Sequence, residues 1–246
     1  MTPLYFSTRG IVFSQVKYSD TSLIVKIFTE AFGLVSYLVK GARNPRSKIR
    51  AGLFQPLTLL DLVVTNKSKH DLHHLREARL AFTYQTIPFD IRKTTILVFI
   101  DELLCKSVRE EEANRELFAF IEGMLMKLDA LEGNFAHFHL YFTIQLTRHL
   151  GLFPHGNYQG PASHFNLPEG RFSEAPCLPG PDIVDGPACH YLDRLMHATW
   201  NDYGRLSASP EVRNDLQDRL LRYYRYHLSI PGEFKAHLVL REVLRG

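Results

Sequence analysis

The 246-residue sequence predicts an α+β chain in two parts: five short strands over residues 1–80, closed into a small barrel, and an all-α helical domain over residues 81–246 with an irregular Pro/Gly-rich insertion. Three observations predict it. Up to residue 80, apolar and β-branched residues recur in short runs broken by turn formers. From residue 88 the apolar spacing changes to three and four residues, the signature of helix. The charge changes with it: residues 1–80 carry 12 Lys/Arg and 5 Asp/Glu, residues 81–246 carry 17 and 21, and the whole chain balances at +3. A basic first part beside a mildly acidic remainder assigns the first part to a polyanion and the second to another task.

Residues 9–17 alternate and end at the turn formers Tyr18-Ser19-Asp20. Residues 21–29 are rich in β-branched side chains, and Phe32-Gly33 turns the chain into a third strand at 34–40. Residues 40–50 hold Lys40, Arg43, Arg46, Lys48 and Arg50 and no acidic residue. Gly41, Asn44, Pro45 and Ser47 exclude a regular helix or a central strand there, so the segment reads as a cationic loop. Strands follow at 55–66 and 70–76, separated by the turn Lys67-Ser68-Lys69. Five strands in so short a length suit an OB-fold, whose face and loops bind oligonucleotides. Periodicity alone leaves an SH3-like barrel open.

Helices are expected at 90–108, 114–131 and 133–150, the last with Gly151 past its end as C-cap. Residues 153–187 hold seven of the 13 prolines and few helix formers, so they read as irregular. Helix resumes at 189–201, 210–228 and 234–244. Trp200 falls on an amphipathic segment and reads as core.

No P-loop, dinucleotide fingerprint, nucleophile elbow or H-E-x-x-H occurs. Glu110, Glu111 and Glu112 are consecutive and point to different helix faces. His137 and His139 stand two apart on a helix, roughly 200° around it, and cannot share a metal. His70 and His74 share a strand face without a third ligand of suitable type. Cys177 and Cys189 are each unpaired, whereas structural zinc ligands come two to four residues apart. No enzyme activity, metal or cofactor is expected. The three cysteines are odd in number and far apart, so no disulfide framework is expected. No apolar run is long enough for a membrane span, and the N-terminus lacks the pattern of a signal peptide. A cytoplasmic, nucleoid-associated protein is expected.

Lys17, Lys26, Lys40, Arg43, Arg46, Lys48, Arg50, Lys67 and Lys69 are the candidate phosphate contacts of the β part. Tyr18 and Tyr37 are candidates for stacking on bases and equally for core packing. In the helical part, Arg219, Arg222 and Arg225 recur every three residues as one basic stripe flanked by Tyr223 and Tyr226. The stripe is a solvated helix face or an anchor for an acidic peptide.

With this order of parts, the chain resembles the bacterial recombination mediator family RecO. The resemblance rests on Gly10-Ile11-Val12, Tyr18-Ser19-Asp20, Phe28-Thr29-Glu30, Phe32-Gly33 and above all Lys40-Gly41-Ala42-Arg43. Gln55-Pro56, Asp71-Leu72 and Leu75-Arg76-Glu77 continue it, and Leu150-Gly151-Leu152-Phe153-Pro154 and the last two helices extend it to the C-terminus. It implies an N-terminal OB-fold and a C-terminal helical domain. It implies a non-enzymatic protein that binds single- and double-stranded DNA and anneals complementary strands. It implies work with RecR to load the recombinase RecA onto strands coated by single-strand-binding protein. The helical domain would contact the acidic C-terminal tail of that coat protein. Arg148, beside Leu146, Leu150 and Phe153, and the stripe with Tyr226 are the candidate tail contacts. Many relatives carry four zinc cysteines in two close pairs, and this chain departs from that pattern. The alternative reading is a protein-binding adaptor whose basic loop docks an acidic partner; a nuclease is disfavoured because no carboxylate or histidine cluster suits two-metal chemistry.

Overall fold

The alternating runs form β1 (Tyr5–Lys17), β2 (Leu23–Thr29), β3 (Gly33–Val39), β4 (Leu59–Thr65) and β5 (His73–Leu80). The helical runs form α1 (Ile91–Ser107), α2 (Arg115–Ala130), α3 (Phe138–His149), α4 (Gly186–His197), α5 (Pro210–His227) and α6 (Ala236–Val243). This is a computed structural model, and it describes residues 5–44, 47, 49–65, 73–109, 111–175 and 178–244. Arg46, Lys48, Lys67, Lys69, His70, Glu110 and Cys177 lie outside the described residues. The chain divides into two compact units: Met1–Phe89 with Val108–Ala130, and Asp90–Ser107 with Leu131–Gly246.

In the first unit the strands close as a barrel in the order β1-β2-β3-β5-β4 and back to β1. The β3–β5 pair is parallel and the other four are antiparallel. This is the five-stranded Greek-key barrel of an OB-fold. Closure removes the free edges that would otherwise invite pairing with another chain. Period-two alternation points Val12, Val25, Ile27, Tyr37, Leu62 and Val64 into one buried cluster. Gly10 sits where Ile27 and Leu62 close over the strand: a Cβ there would lie 2.6 Å from a carbon of each. A glycine inside this strand therefore marks a close approach of side chains from both neighbouring strands.

The register slips between Val12 and Ser14, so Phe13 stands outside the β1–β2 register. Such a bulge re-aims a side chain. Phe13 lies beside Phe28, and Phe28 beside Phe118 of α2, with ring centroids 5.8 and 6.1 Å apart. α2 buries Leu117, Phe118, Ile121, Leu125 and Leu128, the stripe its spacing predicts. Arg9 of β1 fastens it further: its guanidinium holds Glu30 with two bonds of 3.0 and 3.1 Å and Glu122 of α2 at 2.6 Å. Near the end of α2, the Asp129 carboxylate accepts from the backbone N–H groups of Gln85, Thr86 and Ile87 at 2.8–2.9 Å.

Two expectations change, and one left open is decided. The fourth strand begins at Leu59, not at residue 55, because a 3-10 turn fills Ala51–Phe54 and Leu57 takes a left-handed φ of 58°. That conformation lets the Leu57 N–H bond the Val12 carbonyl at 2.7 Å, and it cannot continue into a strand. The fifth strand runs on to Leu80, held by the pairing of Leu80 with Leu60. Tyr37 is 1% exposed and belongs to the core, so it is no stacking platform.

In the second unit α3 ends as its glycine predicts. Gly151 has φ +70°, and the Leu152 N–H reaches back to the Thr147 carbonyl at 2.9 Å. Residues 153–187 are more ordered than their composition suggests: β6 (His164–Asn166), β7 (Arg171–Ser173) and β8 (Ile183–Val184) form a small sheet in the order β7-β6-β8. The Glu102 carboxylate of α1 caps the start of α6 by accepting from the N–H groups of Lys235 and Ala236. Trp200 is half-buried, stacked on Tyr203 at 4.8 Å. Among the described residues no helix is long and apolar enough to cross a membrane.

Candidate nucleic-acid interface and peptide cleft

Strand register decides where the basic residues meet. Lys17 pairs with Leu23 and Leu23 with Val39, so the end of β1, the start of β2 and the end of β3 adjoin at one mouth of the barrel. The 18–22 turn is closed by the Tyr18 N–H bonding the Ser22 carbonyl at 3.0 Å. The loop after β3 folds against that turn. The Arg43 N–H donates to the Thr21 carbonyl at 3.1 Å, and its guanidinium to the carbonyl oxygens of Ser19 and Asp20 at 3.4 and 3.1 Å. Gly41 makes the bend, with φ +71°. Buried Ala42 and Phe54 root the loop in the core.

Lys17, Lys40, Arg43 and Arg50 are thus exposed around one mouth. Asp20 opposes them, paired to Lys17 at 3.3 Å, but both partners are so exposed that the pair is weak. Tyr18 beside them is 60% exposed and Val16 57%. Lys26 lies apart on the outer wall, opposite Ser14 and Ser36. His73, which follows the segment carrying Lys67 and Lys69, stands opposite Tyr37 near the end of β3. Such a mouth offers fixed positive charge. It also holds an exposed aromatic that sequence spacing alone could not distinguish from a core residue.

The helical candidates separate in the structure. Arg148 is engaged within its own unit: it donates to the Met196 carbonyl at 2.6 Å and to Gln145 at 2.9 Å, and lies 3.5 Å above the Phe153 ring. Arg219 is engaged as well. It donates to the carbonyls of Gly180 and Ile183 and pairs with Asp215, fastening β8 to α5. Arg222, Arg225 and Tyr226 face a cleft of about 770 Å³ between α5 and α6, floored by Leu221, Phe234 and Leu238. Arg225 has no ion-pair partner among the described residues, and Arg222 has one, Asp182, at 3.1 Å. Asp182 also lies near the Tyr226 hydroxyl and raises its pKa above the ordinary value.

The histidines and cysteines do not converge. His137 Nδ1 meets the Tyr191 hydroxyl at 2.5 Å, and burial, with Arg213 and Arg194 nearby, pushes its pKa down to about 4. His139 is fully enclosed and pushed down to about 3, first by burial. Cys189 is buried, and burial followed by Asp185 and Asp193 pushes its thiol up to about 12. His190 stacks on Tyr158 at 5.0 Å. Among the described residues no three potential ligands stand together. Protein purified without chelator should carry well below one zinc per chain. Stoichiometric zinc that disappears on changing Cys177 or Cys189 to Ser would contradict this.

Comparison with known proteins finds two family profiles along the chain. Residues 1–84 match the family profile "Recombination protein O N terminal", and residues 88–233 match "Recombination protein O C terminal". A protein of Flavobacterium psychrophilum named "DNA repair protein RecO" is 33% identical over 242 residues, covering 98% of this chain and 99% of the relative. A protein of the same name from Bacteroides fragilis is 32% identical over 237 residues, covering 96% and 98%.

Proposed function

This chain belongs to the RecO family of DNA repair proteins, and on that premise we propose that it is a non-enzymatic recombination mediator that binds and anneals DNA strands. It binds single- and double-stranded DNA and, with RecR, helps load RecA onto strands coated by single-strand-binding protein. The barrel mouth carries this reading. Lys17, Lys40, Arg43 and Arg50 surround it, and charge of this kind grips phosphates without occupying the base edges. Annealing requires that combination, since bases must stay free to pair. The wide loop between β3 and β4 contributes Arg46 and Lys48 to the same stretch of sequence.

The helical unit receives the acidic tail of the coat protein. Arg222 and Arg225 over an apolar floor match a peptide that ends in apolar residues and a carboxylate. Arg148 is the weaker candidate, because its donors are already committed to Met196 and Gln145.

Titrating salt against binding of a labelled single-stranded oligonucleotide tests the proposal. Five to six phosphate contacts give a log–log slope of about −3.5 to −4.2, at ~0.7 per contact. A slope near zero would remove the DNA reading and favour an adaptor whose basic loop docks an acidic protein.

A further inference from the structure

The rim of the α5–α6 cleft already holds a carboxylate, and it comes from the protein itself. Asp182 lies in the turn that leads into β8. Its Oδ1 is 3.1 Å from Arg222 Nη1, and it lies near enough to the Tyr226 hydroxyl to raise that phenol's pKa. Both partners line the cleft. An arginine and a phenol converging on one carboxylate form a recognition site for that group. Asp182 thus marks where an incoming carboxylate would sit.

We propose that Asp182 is an internal competitor, which occupies the carboxylate seat formed by Arg222 and Tyr226 and must be displaced when an acidic peptide docks in the α5–α6 cleft. This rests on the peptide-binding reading given above. The other acidic groups of the cleft behave differently. Asp218 is bound by Arg241 and lies 3.8 Å from His237, so it is neutralised in place. Glu233 lines the cleft beside Phe234 and repels a second carboxylate from that side. The polar seat is therefore the Arg222–Tyr226 end, with Arg225 one turn from Arg222 to take a further acidic residue. Apolar peptide side chains lie on Leu221, Phe234 and Leu238.

Displacement is feasible because the internal pair is weak. The side chains of Arg222 and Asp182 are 47% and 40% exposed, and exposed pairs contribute little. The turn itself does not depend on the Asp182 carboxylate. Its backbone is held by the Leu167 N–H on the Asp182 carbonyl at 2.9 Å and by Arg219 on the carbonyls of Gly180 and Ile183. The competitor can leave its seat while the turn stays.

The experiment uses the full chain and a synthetic acidic peptide ending in apolar residues and a free carboxylate, followed by fluorescence anisotropy. Asp182→Asn should tighten binding about two- to five-fold, the size of an exposed ion pair removed from competition. Asp215→Asn, which among the described residues pairs only with Arg219, should leave affinity unchanged. In an Arg222→Ala background the gain from Asp182→Asn should vanish, because the contested seat is gone. The same peptide with an amidated C-terminus should gain less. If the parent binds the peptide and Asp182→Asn binds it equally well, the competitor is refuted and the cleft reading stands. If neither parent nor Asp182→Asn binds, the cleft reading fails and the competitor with it. Matching thermal melts for parent and Asp182→Asn separate a lost seat from a lost fold.

Discussion

Replacing Asp129 by Ala will lower the stability of the barrel unit by about 3 kcal/mol, because several backbone donors lose one acceptor group together. Asp129 is 4% exposed, and its carboxylate accepts from three consecutive N–H groups, Gln85, Thr86 and Ile87, and from the Thr86 hydroxyl. Each buried donor left unsatisfied costs about 1–3 kcal/mol; Gln85 and Thr86 are exposed and recover part of this from water, while buried Ile87 does not. Asp129→Asn keeps one acceptor oxygen and should lose about half as much. The effect depends on pH with a definite sign. Burial pushes the Asp129 pKa up, but the three N–H donors outweigh it and hold the carboxyl below its usual value. A carboxyl whose folded pKa is depressed contributes stability that is fully present above its unfolded value and is lost as pH falls through the folded one. The gap between parent and Asp129→Ala should therefore be widest near neutrality and narrow below about pH 4. Denaturant melts at pH 7 and pH 3 measure this, and a gap under about 1 kcal/mol at pH 7 would refute the cap.

Changing Arg43, Arg46, Lys48 and Arg50 together to Ala should weaken single-strand binding at least tenfold at physiological salt. The log–log salt slope should flatten by up to about 3 units, at ~0.7 for each phosphate contact removed. Folding stability should change little. Arg50 is exposed, and the bonds of the Arg43 guanidinium to Ser19 and Asp20 lie at the surface. The loop root, Ala42 and Phe54, is untouched. The slope distinguishes two outcomes that affinity alone confuses. If affinity falls and the slope holds, the loop acts through shape. If both hold, DNA lies elsewhere on the chain.

The two long-range facts behind these predictions were out of reach of the sequence, although most elements were legible in it. Strands β1 to β3 follow directly from alternation, and α1, α2 and α5 from three- and four-residue spacing. Strands of two or three residues such as β6, β7 and β8 complete too few alternations to signal themselves among prolines and glycines. Asp129 reads as one more acid at the end of a helix, because its partners lie 42–44 residues upstream. The basic run was visible as charge, but its convergence with Lys17 and Tyr18 follows from the register of β1, β2 and β3. Arg219, Arg222 and Arg225 share a stripe in sequence and part company in space, since only contact with Gly180 and Ile183 commits the first of them.

The grouping of α2 has a consequence for how this chain can be cut. The backbone leaves the barrel's unit after Phe89, returns at Val108, and leaves again after Ala130. The two family profiles part between residues 84 and 88, well before that return. A fragment stopped there would carry all five strands yet lack Phe118, which covers Phe28, along with both Glu122 and Asp129. Phe13, at the bulge, and Phe28 beside it would then meet water as an adhesive apolar patch. The genetic seam of this protein and its mechanical seam are different places, and a usable barrel fragment has to take a helix from beyond the first in order to stay dry.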